Sequence, residues 1–531
     1  MKNLLDRRTF EIGSTENGEP IIPTTIKCKL KYKSDGTLEK FKCRACVRGD
    51  LQKRTNTEDT WSAMTSKRGL RMFIASAAAT TSKNFQLDFI GEFLQAPVRS
   101  PVYVMIDKLV AEMVPEFKQY CRISLRLIKS MYGQTLSGKW WFLELLSYLI
   151  SDEMAFIQSD TDQTLFVREE EDGSFTKFMV YVDDGLYYNS GLKDEYYRKK
   201  FEKELLQKFE VNFIGQAHWF LSMRIQRDAV GNISLDQSRY AINIAKKFLG
   251  DSELNKPVRR PLPADFIASK EDCAQSEEEV STLEIEYRLN YSSALGSLIY
   301  LLNTRPDICF AVIKLAKFMR KPGRKHFQAM IHLLHFIKYN AQRGLKYYRN
   351  YEDSPVHSFL RTTGIEIDDA VFGMHDSSWQ DCPDTGRSTG CYMNFVAGGV
   401  VDFNSFVPAP VAMSSTEAEM NAGAVGAMSM SYVRMLWNEL HNAEVDLLWK
   451  SPIRLLCDNN GAVLSANSDK DSKALRHTKR RMFYIRQVRK EGEMSWEFVD
   501  GKYNLSDIGT KNNEVPIFEL LAENILVEVP E

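Results

Sequence analysis

No window of this sequence approaches the roughly 20 consecutive apolar residues that cross a bilayer as a helix. The start, MKNLLDRRTF, lacks an apolar core of signal-peptide length, so no membrane contact is expected. A surplus of charge is missing too: Lys and Arg total 69 against 70 for Asp and Glu. Nucleic-acid binders usually carry an excess of cations, but a neutral total can set basic tracks against acidic sites, so net charge decides nothing. Cysteine is sparse. The nine are scattered singly apart from Cys43 and Cys46, and no disulfide scaffold is expected in a chain of this size without a secretion signal. Cys43-x-x-Cys46 reads as half a zinc site or as an incidental pair on a strand, and no second CxxC or His pair answers it. Internal repeats and sizeable low-complexity tracts are absent.

What is present is a well-mixed globular composition, 44% apolar and 26% charged, over 531 residues. That length predicts two or three domains. Residues 1–25 carry no clear periodicity. IKCKLKYK, a turn at Ser34-Asp35-Gly36 and LEKFKCRACV predict a β-hairpin. Leu70, Phe73, Ile74 and Ala77 fall at helical spacing within 66–82. A strand is expected at Phe85–Phe89, a helix at Lys139–Ser151, and strands at Gln163–Arg168 and Lys177–Tyr181. Helices at Glu195–Phe209 and Ser238–Leu249 bracket a strand pair at Trp219–Leu235. The acidic run SKEDCAQSEEEVSTLEIE reads as a linker, helical patterns resume at 287–340, and an α/β unit closes the chain from Val371 to about Val527.

Two constellations carry chemistry. The first is Tyr181-Val182-Asp183-Asp184 between the apolar runs TKFMV and GLYYN, with Asp88 near the end of FQLDF. Adjacent carboxylates in apolar surroundings are costly unless a cation neutralises them. Three acids are what two Mg²⁺ ions need to bridge a nucleoside triphosphate and an attacking 3′-hydroxyl. A plain Asp-Asp-Gly surface turn would read the same way alone; the apolar flanks and Asp88 favour a metal site. The second is four separated acids: Asp376 after AVFGM, Glu417 opening a helix behind Ser414-Ser415-Thr416, Asp458 after IRLLC, and Asp507 opening a final helical stretch. Singly, each is an ordinary cap or surface charge. Their order and settings predict two-metal phosphodiester hydrolysis.

FMVYVDDGLYY resembles the catalytic hairpin of reverse transcriptases, and its surroundings are similar to the copia-type branch of LTR-retrotransposon polyproteins. FKCRACVRGDLQKR, FQLDFIGEFLQAPVRSPVYVMI and LIKSMYGQTLSGKWWFLELLSYLISDEMAFIQSDTDQTLFV follow that family's order over residues 25–260. HDSSWQDCPDTGRSTGCYMNF, VAMSSTEAEMNA, LLCDNNGAV and NLSDIGTK resemble its ribonuclease H blocks.

The resemblance implies an α/β and α+β multidomain fold. A right-hand polymerase of fingers, palm and thumb (26–265) would follow a lead-in segment (1–25). An acidic linker (266–286), a helical connection (287–365) and a ribonuclease H-like α/β domain (366–531) would complete it. It implies RNA-directed DNA polymerase and ribonuclease H activities, with Asp88, Asp183, Asp184, Asp376, Glu417, Asp458 and Asp507 holding Mg²⁺, two ions per site, and Mn²⁺ as a substitute. Lys42 and Arg44 would meet the triphosphate, and Phe93 would be the aromatic gate against a ribose 2′-hydroxyl. Arg476, His477, Lys479 and Arg480 would face phosphates of the hybrid, with His477 structural or phosphate-facing.

Partners would be an RNA template, a DNA primer, the RNA–DNA hybrid, deoxynucleoside triphosphates and other polyprotein products. The expected location is a cytoplasmic virus-like particle, with entry to the nucleus alongside element DNA. Capsid, protease and integrase regions are not in this sequence, which predicts a fragment, a processed product or a truncated copy. Two positions depart from the family: Leu136 stands where a glutamine would pack on the nucleotide, and Glu92 replaces a small residue beside the gate. They sustain a rival reading, an inactive or domesticated remnant that binds nucleic acid. A stand-alone RNA-dependent RNA polymerase is disfavoured by Phe93 and by the nuclease blocks.

Overall fold

The computed structural model describes residues 3–15, 18–32, 37–52, 60–250, 256–365, 367, 370–441, 452–469 and 479–530. The chain divides into two compact units. One holds residues 1–65 and 84–216, the other 66–83 and 217–531.

The first unit contains two sheets. In one, the hairpin Ile21–Tyr32 and Leu38–Val47 joins Tyr103–Met105, Ser124–Leu127 and Phe10–Ile12. The expected hairpin turn at Ser34–Gly36 lies outside the described residues. Cys28 and Cys43 sit opposite each other across this hairpin and form a disulfide, a pairing the scattered cysteines did not predict. Cys43 is thereby removed from any CxxC zinc pair, while Cys46 stays a buried free thiol.

The other sheet is antiparallel, in the order Val211–Gln216, Phe85–Phe89, Asp184–Asn189, Phe175–Tyr181, Leu165–Glu169, Ile157–Gln158. Two helices, Ser137–Leu149 and Asp194–Leu205, supply Trp141, Leu145, Leu149, Phe201 and Leu205 to the core beneath it. The central strands alternate at period two, so Leu87, Phe89, Phe178 and Val180 are buried there. Every strand and helix expected here from periodicity is present within a few residues.

The second unit carries a small sheet built from Trp219–Phe220, Met223–Arg227, Ile233–Asp236, Arg343–Tyr347 and Val527–Glu528. Its larger sheet runs Gly399–Phe406, Thr389–Val396, Val371–Ser378, Ile453–Cys457, Met494–Phe498. The first three strands are antiparallel and the last two join in parallel. Numbered along the chain within this sheet, the order is 3-2-1-4-5. The 26-residue helix Ser415–Leu440 lies against the strand Val371–Ser378.

Two further features differ from the sequence expectation. The helix Lys67–Ala79 packs in the second unit, where buried Arg71 donates to Val401 O at 2.6 Å and Asn303 O at 3.0 Å. The acidic stretch expected as linker holds a helix, Glu277–Tyr287, because Ser276 caps Glu279 N and three glutamates oppose the positive helix start.

Candidate active sites

The strand Phe175–Tyr181 turns into Asp184–Asn189 through Val182 and Asp183 alone. Val182 has φ of 57°, and a positive φ at only the first central residue is the type II′ hairpin pattern. Glycine normally takes that position, so the turn is held from outside. Trp141 Nε1 donates to Val182 O at 2.7 Å, Thr65 Oγ1 to Val180 O at 2.7 Å, and Phe89 N to Asp183 O at 2.8 Å. Asp184 lies directly opposite Asp88 in register. Gly185 follows because a Cβ there would meet Phe178 at 2.7 Å and Leu87 at 2.9 Å. The sheet therefore brings Asp88, Asp183 and Asp184 together. Burial, then Asp183 and Asp88, push the Asp184 carboxyl up to about 6.

Asp88 and Asp183 line a cleft of about 370 Å³ with Lys42, Arg44, Glu92 and Tyr132. Burial and then Arg44 draw the Lys42 ammonium down, against the pull of Asp183 and Asp88. The Arg44 guanidinium stacks 4.5 Å from the centre of the Tyr132 ring. Glu92 is 4% exposed, and Tyr132 Oη donates to it at 3.0 Å. Burial and Asp183 push its carboxyl up to about 7. Phe93 is partly buried, edge-on to Tyr132 at 5.1 Å, and does not line the cleft. Leu136 is not a cleft residue: it packs in the core with Leu125, Leu127, Met131 and Trp140, ahead of the helix Ser137–Leu149. An apolar side chain at a helix entrance gains more from that burial than from a wet cleft.

In the second unit, ligand atoms of Asp376, Glu419 and Asp458 all lie within 4.8 Å of one another. The acid in this group is Glu419, which corrects the expectation of Glu417. Glu417 instead turns back on the helix start: Met413 N donates to its Oε2 at 2.7 Å, and Ser414 Oγ accepts from its N–H at 3.2 Å. Two residues along a helix is about 200° of rotation, so the two glutamates cannot share a face. The periodicity held the answer: positions i+3, i+4 and i+7 from Glu419 are Ala422, Gly423 and Gly426. That small-residue stripe lets the helix lie on the sheet, with Gly423 over His375 and Gly426 over Tyr392.

Asp507 lies on a 3-10 turn, Leu505–Gly509, rather than opening the final α-helix. Lys511 Nζ is 2.8 Å from Asp507 and 3.5 Å from Asp376, and Thr510 Oγ1 donates to Asp376. Burial and Asp376 push the Asp507 carboxyl up to about 8. The same two causes raise Asp458, and burial, Asp376 and Asp458 raise Glu419. Burial opposes charge on Lys511, but Asp376 and then Asp507 outweigh it and hold the ammonium protonated. Arg476 and His477 lie outside the described residues. Lys479 opens the helix Lys479–Lys490 and Arg480 is exposed on it.

Residues 7–260 match the family described as reverse transcriptase (RNA-dependent DNA polymerase). They belong to that family. Over the whole chain, the Retrovirus-related Pol polyprotein from transposon TNT 1-94 of Nicotiana tabacum is 25% identical across 98% of this chain and 37% of its own length. The Pol polyprotein from transposon RE1 of Arabidopsis thaliana is 26% identical across 94% of this chain and 32% of its own. The chain thus spans about a third of the curated relatives it matches, and the copia-type kinship read from its motifs stands. Among solved structures, a foamy viral protease-reverse transcriptase in complex with double-stranded DNA aligns with TM-score 0.46 at 11% identity, over 93% of this chain and 68% of that one.

Within the reverse transcriptase segment, Tyr132 was not singled out from sequence, although it joins Glu92, Phe93 and Arg44 in one contact set. The Tyr132-Gly133 pair was its available signal: Gly133 has φ of 83° and a Cβ would meet Val47 O at 2.3 Å, which fixes the tyrosine against the hairpin strand Leu38–Val47.

Proposed function

We propose that this chain extends a DNA primer on an RNA template, then on DNA, and removes the RNA strand of the hybrid. The observation that carries the polymerase half is the Asp88–Asp184 register beside the turn bearing Asp183, at a cleft lined with Lys42 and Arg44. The nuclease half rests on the buried Asp376 and Glu419 with the half-buried Asp458, and on Asp507 linked to Asp376 through Lys511. On this reading residues 26–265 are fingers, palm and thumb, 266–286 a connecting segment, 287–365 the helical connection and 366–531 the nuclease. The substrates are deoxynucleoside triphosphates, an RNA template with its DNA primer, and the hybrid.

Both acid groups fit hard divalent cations, since each offers carboxyls that burial, and then mutual repulsion, already push up. Asp88, Asp183 and Asp184 would hold Mg²⁺ at the first site; Asp376, Glu419, Asp458 and Asp507 at the second, two ions each, with Mn²⁺ as a substitute. Bound there, such ions stabilise charge on phosphoryl oxygens. The chain's own residues do the rest. Arg44 offers a planar fork and Lys42 a point charge to the triphosphate. Phe93, the gate residue of the resemblance, packs edge-on to the cleft-lining Tyr132 rather than lining the cleft itself. Lys511 keeps Asp376 and Asp507 charge-balanced.

The test is extension of a DNA primer on an RNA template with Mg²⁺ and deoxynucleotides, comparing the full chain with Asp183→Asn. Product that falls at least about a hundredfold in the variant supports the reading, several kcal/mol of transition-state charge stabilisation being at stake. Hybrid binding without product from either protein overturns it. A second reading, a remnant that binds nucleic acid without polymerising, draws on one observation: the Glu92 carboxyl stands in the cleft beside Asp183, where its negative charge opposes a triphosphate.

A further inference from the structure

His375 and Cys457 each immediately precede an acid of the nuclease site, Asp376 and Asp458, and strand alternation turns them toward the helix that carries Glu419. All three are buried: His375 is 1% exposed, Glu419 4% and Cys457 0%. Neither ring nitrogen of His375 has a hydrogen-bond partner among the described residues. A buried imidazole with both nitrogens unmet is a costly arrangement, and it calls for a ligand.

The distances say which. Glu419 Oε2 lies 3.5 Å from His375 Nδ1 and 3.7 Å from Cys457 Sγ. Ligands around a tetrahedral zinc ion, at its usual bond lengths, stand about 3.4 Å apart for nitrogen and oxygen and about 3.6 Å for sulfur and oxygen. Ligand atoms of the three residues all fall within 4.8 Å of one another. Imidazole nitrogen, thiolate sulfur and one carboxylate oxygen form a donor set for zinc, cobalt or cadmium, whereas Mg²⁺ takes oxygen alone.

We propose that His375, Glu419 and Cys457 form a binding site for a soft divalent cation of the zinc class. The ion enters as the Cys457 thiol gives its proton to solvent, so one sulfur–metal bond replaces one S–H bond. Glu419 belongs to both sets. Its Oε1 accepts from Ser377 N at 2.9 Å while Oε2 faces the histidine and cysteine. An ion held on the His375 side therefore competes with Asp376 and Asp458 for the same carboxylate and shuts down hybrid cleavage, a consequence that rests on the nuclease reading.

Co²⁺ is the probe, added to the reduced, metal-stripped full chain under a non-thiol reductant. A sulfur-to-cobalt charge-transfer band should rise to one equivalent, vanish when one equivalent of Zn²⁺ is added, and survive excess Mg²⁺. Cys457→Ser should abolish the band and weaken Zn²⁺ binding at least about tenfold. Cys457→Ala stands in if the serine variant does not reach the parent melting temperature. No band in the parent, or an undiminished band in a folded Cys457 variant, overturns the site. Cleavage by the parent should stop at one equivalent of Zn²⁺ and return with a chelator; full cleavage with Zn²⁺ bound overturns the competition. A cobalt band in a chain that never cleaves hybrid would remove the nuclease reading and leave the ion site standing.

Discussion

The backbone N–H of Ser377 donates to Glu419 Oε1 at 2.9 Å, tying the acid of one helix to the strand end that carries Asp376. Glu419→Gln should therefore lower hybrid cleavage by about a hundredfold or more, the scale of a lost metal-ligand carboxylate. Glu417→Gln should cleave within a few-fold of the parent and melt lower, through a weakened helix start worth about 1 kcal/mol. Cleavage rates and melting curves of the two variants separate the roles. The reverse ranking would restore Glu417 to the site.

Glu92 sets a carboxyl against Asp183 in the cleft expected to receive a triphosphate. Glu92→Ala removes that charge and should lower KM for deoxynucleotides several-fold, with a smaller change in kcat. Because the carboxyl titrates near 7, the parent should bind nucleotide better at pH 6 than at pH 8, and the variant should lose that difference. Steady-state primer extension at both pH values measures it. An unchanged KM would place Glu92 outside the nucleotide's reach.

Asp507 has a folded pKa of about 8, above the roughly 3.9 of an unfolded aspartate. The folded chain binds that proton more tightly than the unfolded one. Its contribution to stability is complete below about pH 4 and is lost as pH rises through about 8. Without divalent ions, the melting temperature should fall by roughly 2–4 °C between pH 6 and pH 9. Asp507→Asn, which cannot ionise, should flatten the fall. Parallel slopes for parent and variant would remove Asp507 as the cause.

Leu136 is core rather than cleft. Leu136→Ala should cost about 2–5 kcal/mol of stability, the range for a buried leucine truncated to alanine. Deoxynucleotide KM, measured well below the melting temperature, should stay unchanged. A selective rise in KM with stability intact would return the residue to the nucleotide site.

Sequence periodicity located the strands Phe85–Phe89 and Phe175–Tyr181 and the helix Ser238–Leu249, because alternating or helically spaced apolar residues encode a buried face directly. YVDD between apolar runs fixed the first acid group for the same reason: a two-residue turn leaves its carboxylates few places to go. The limit came where neighbours in space are distant in the chain. Choosing between Glu417 and Glu419 needs the face of the helix that meets Val371–Ser378. Lys511 gains its role from Asp376, 135 positions earlier in the numbering. Cys28 and Cys43 look unremarkable until register sets them opposite.

The sequence by itself therefore determined the local elements, the family of residues 7–260 and six of the seven acids brought together, since those depend on short-range pattern and composition. Only the tertiary structure decided which glutamate turns inward, that Leu136 is core, that the helix Lys67–Ala79 packs in the second unit, and that His375 and Cys457 meet over Glu419. The reason is physical. Side-chain direction and burial are set by packing against elements far away in sequence, and local pattern does not carry that information.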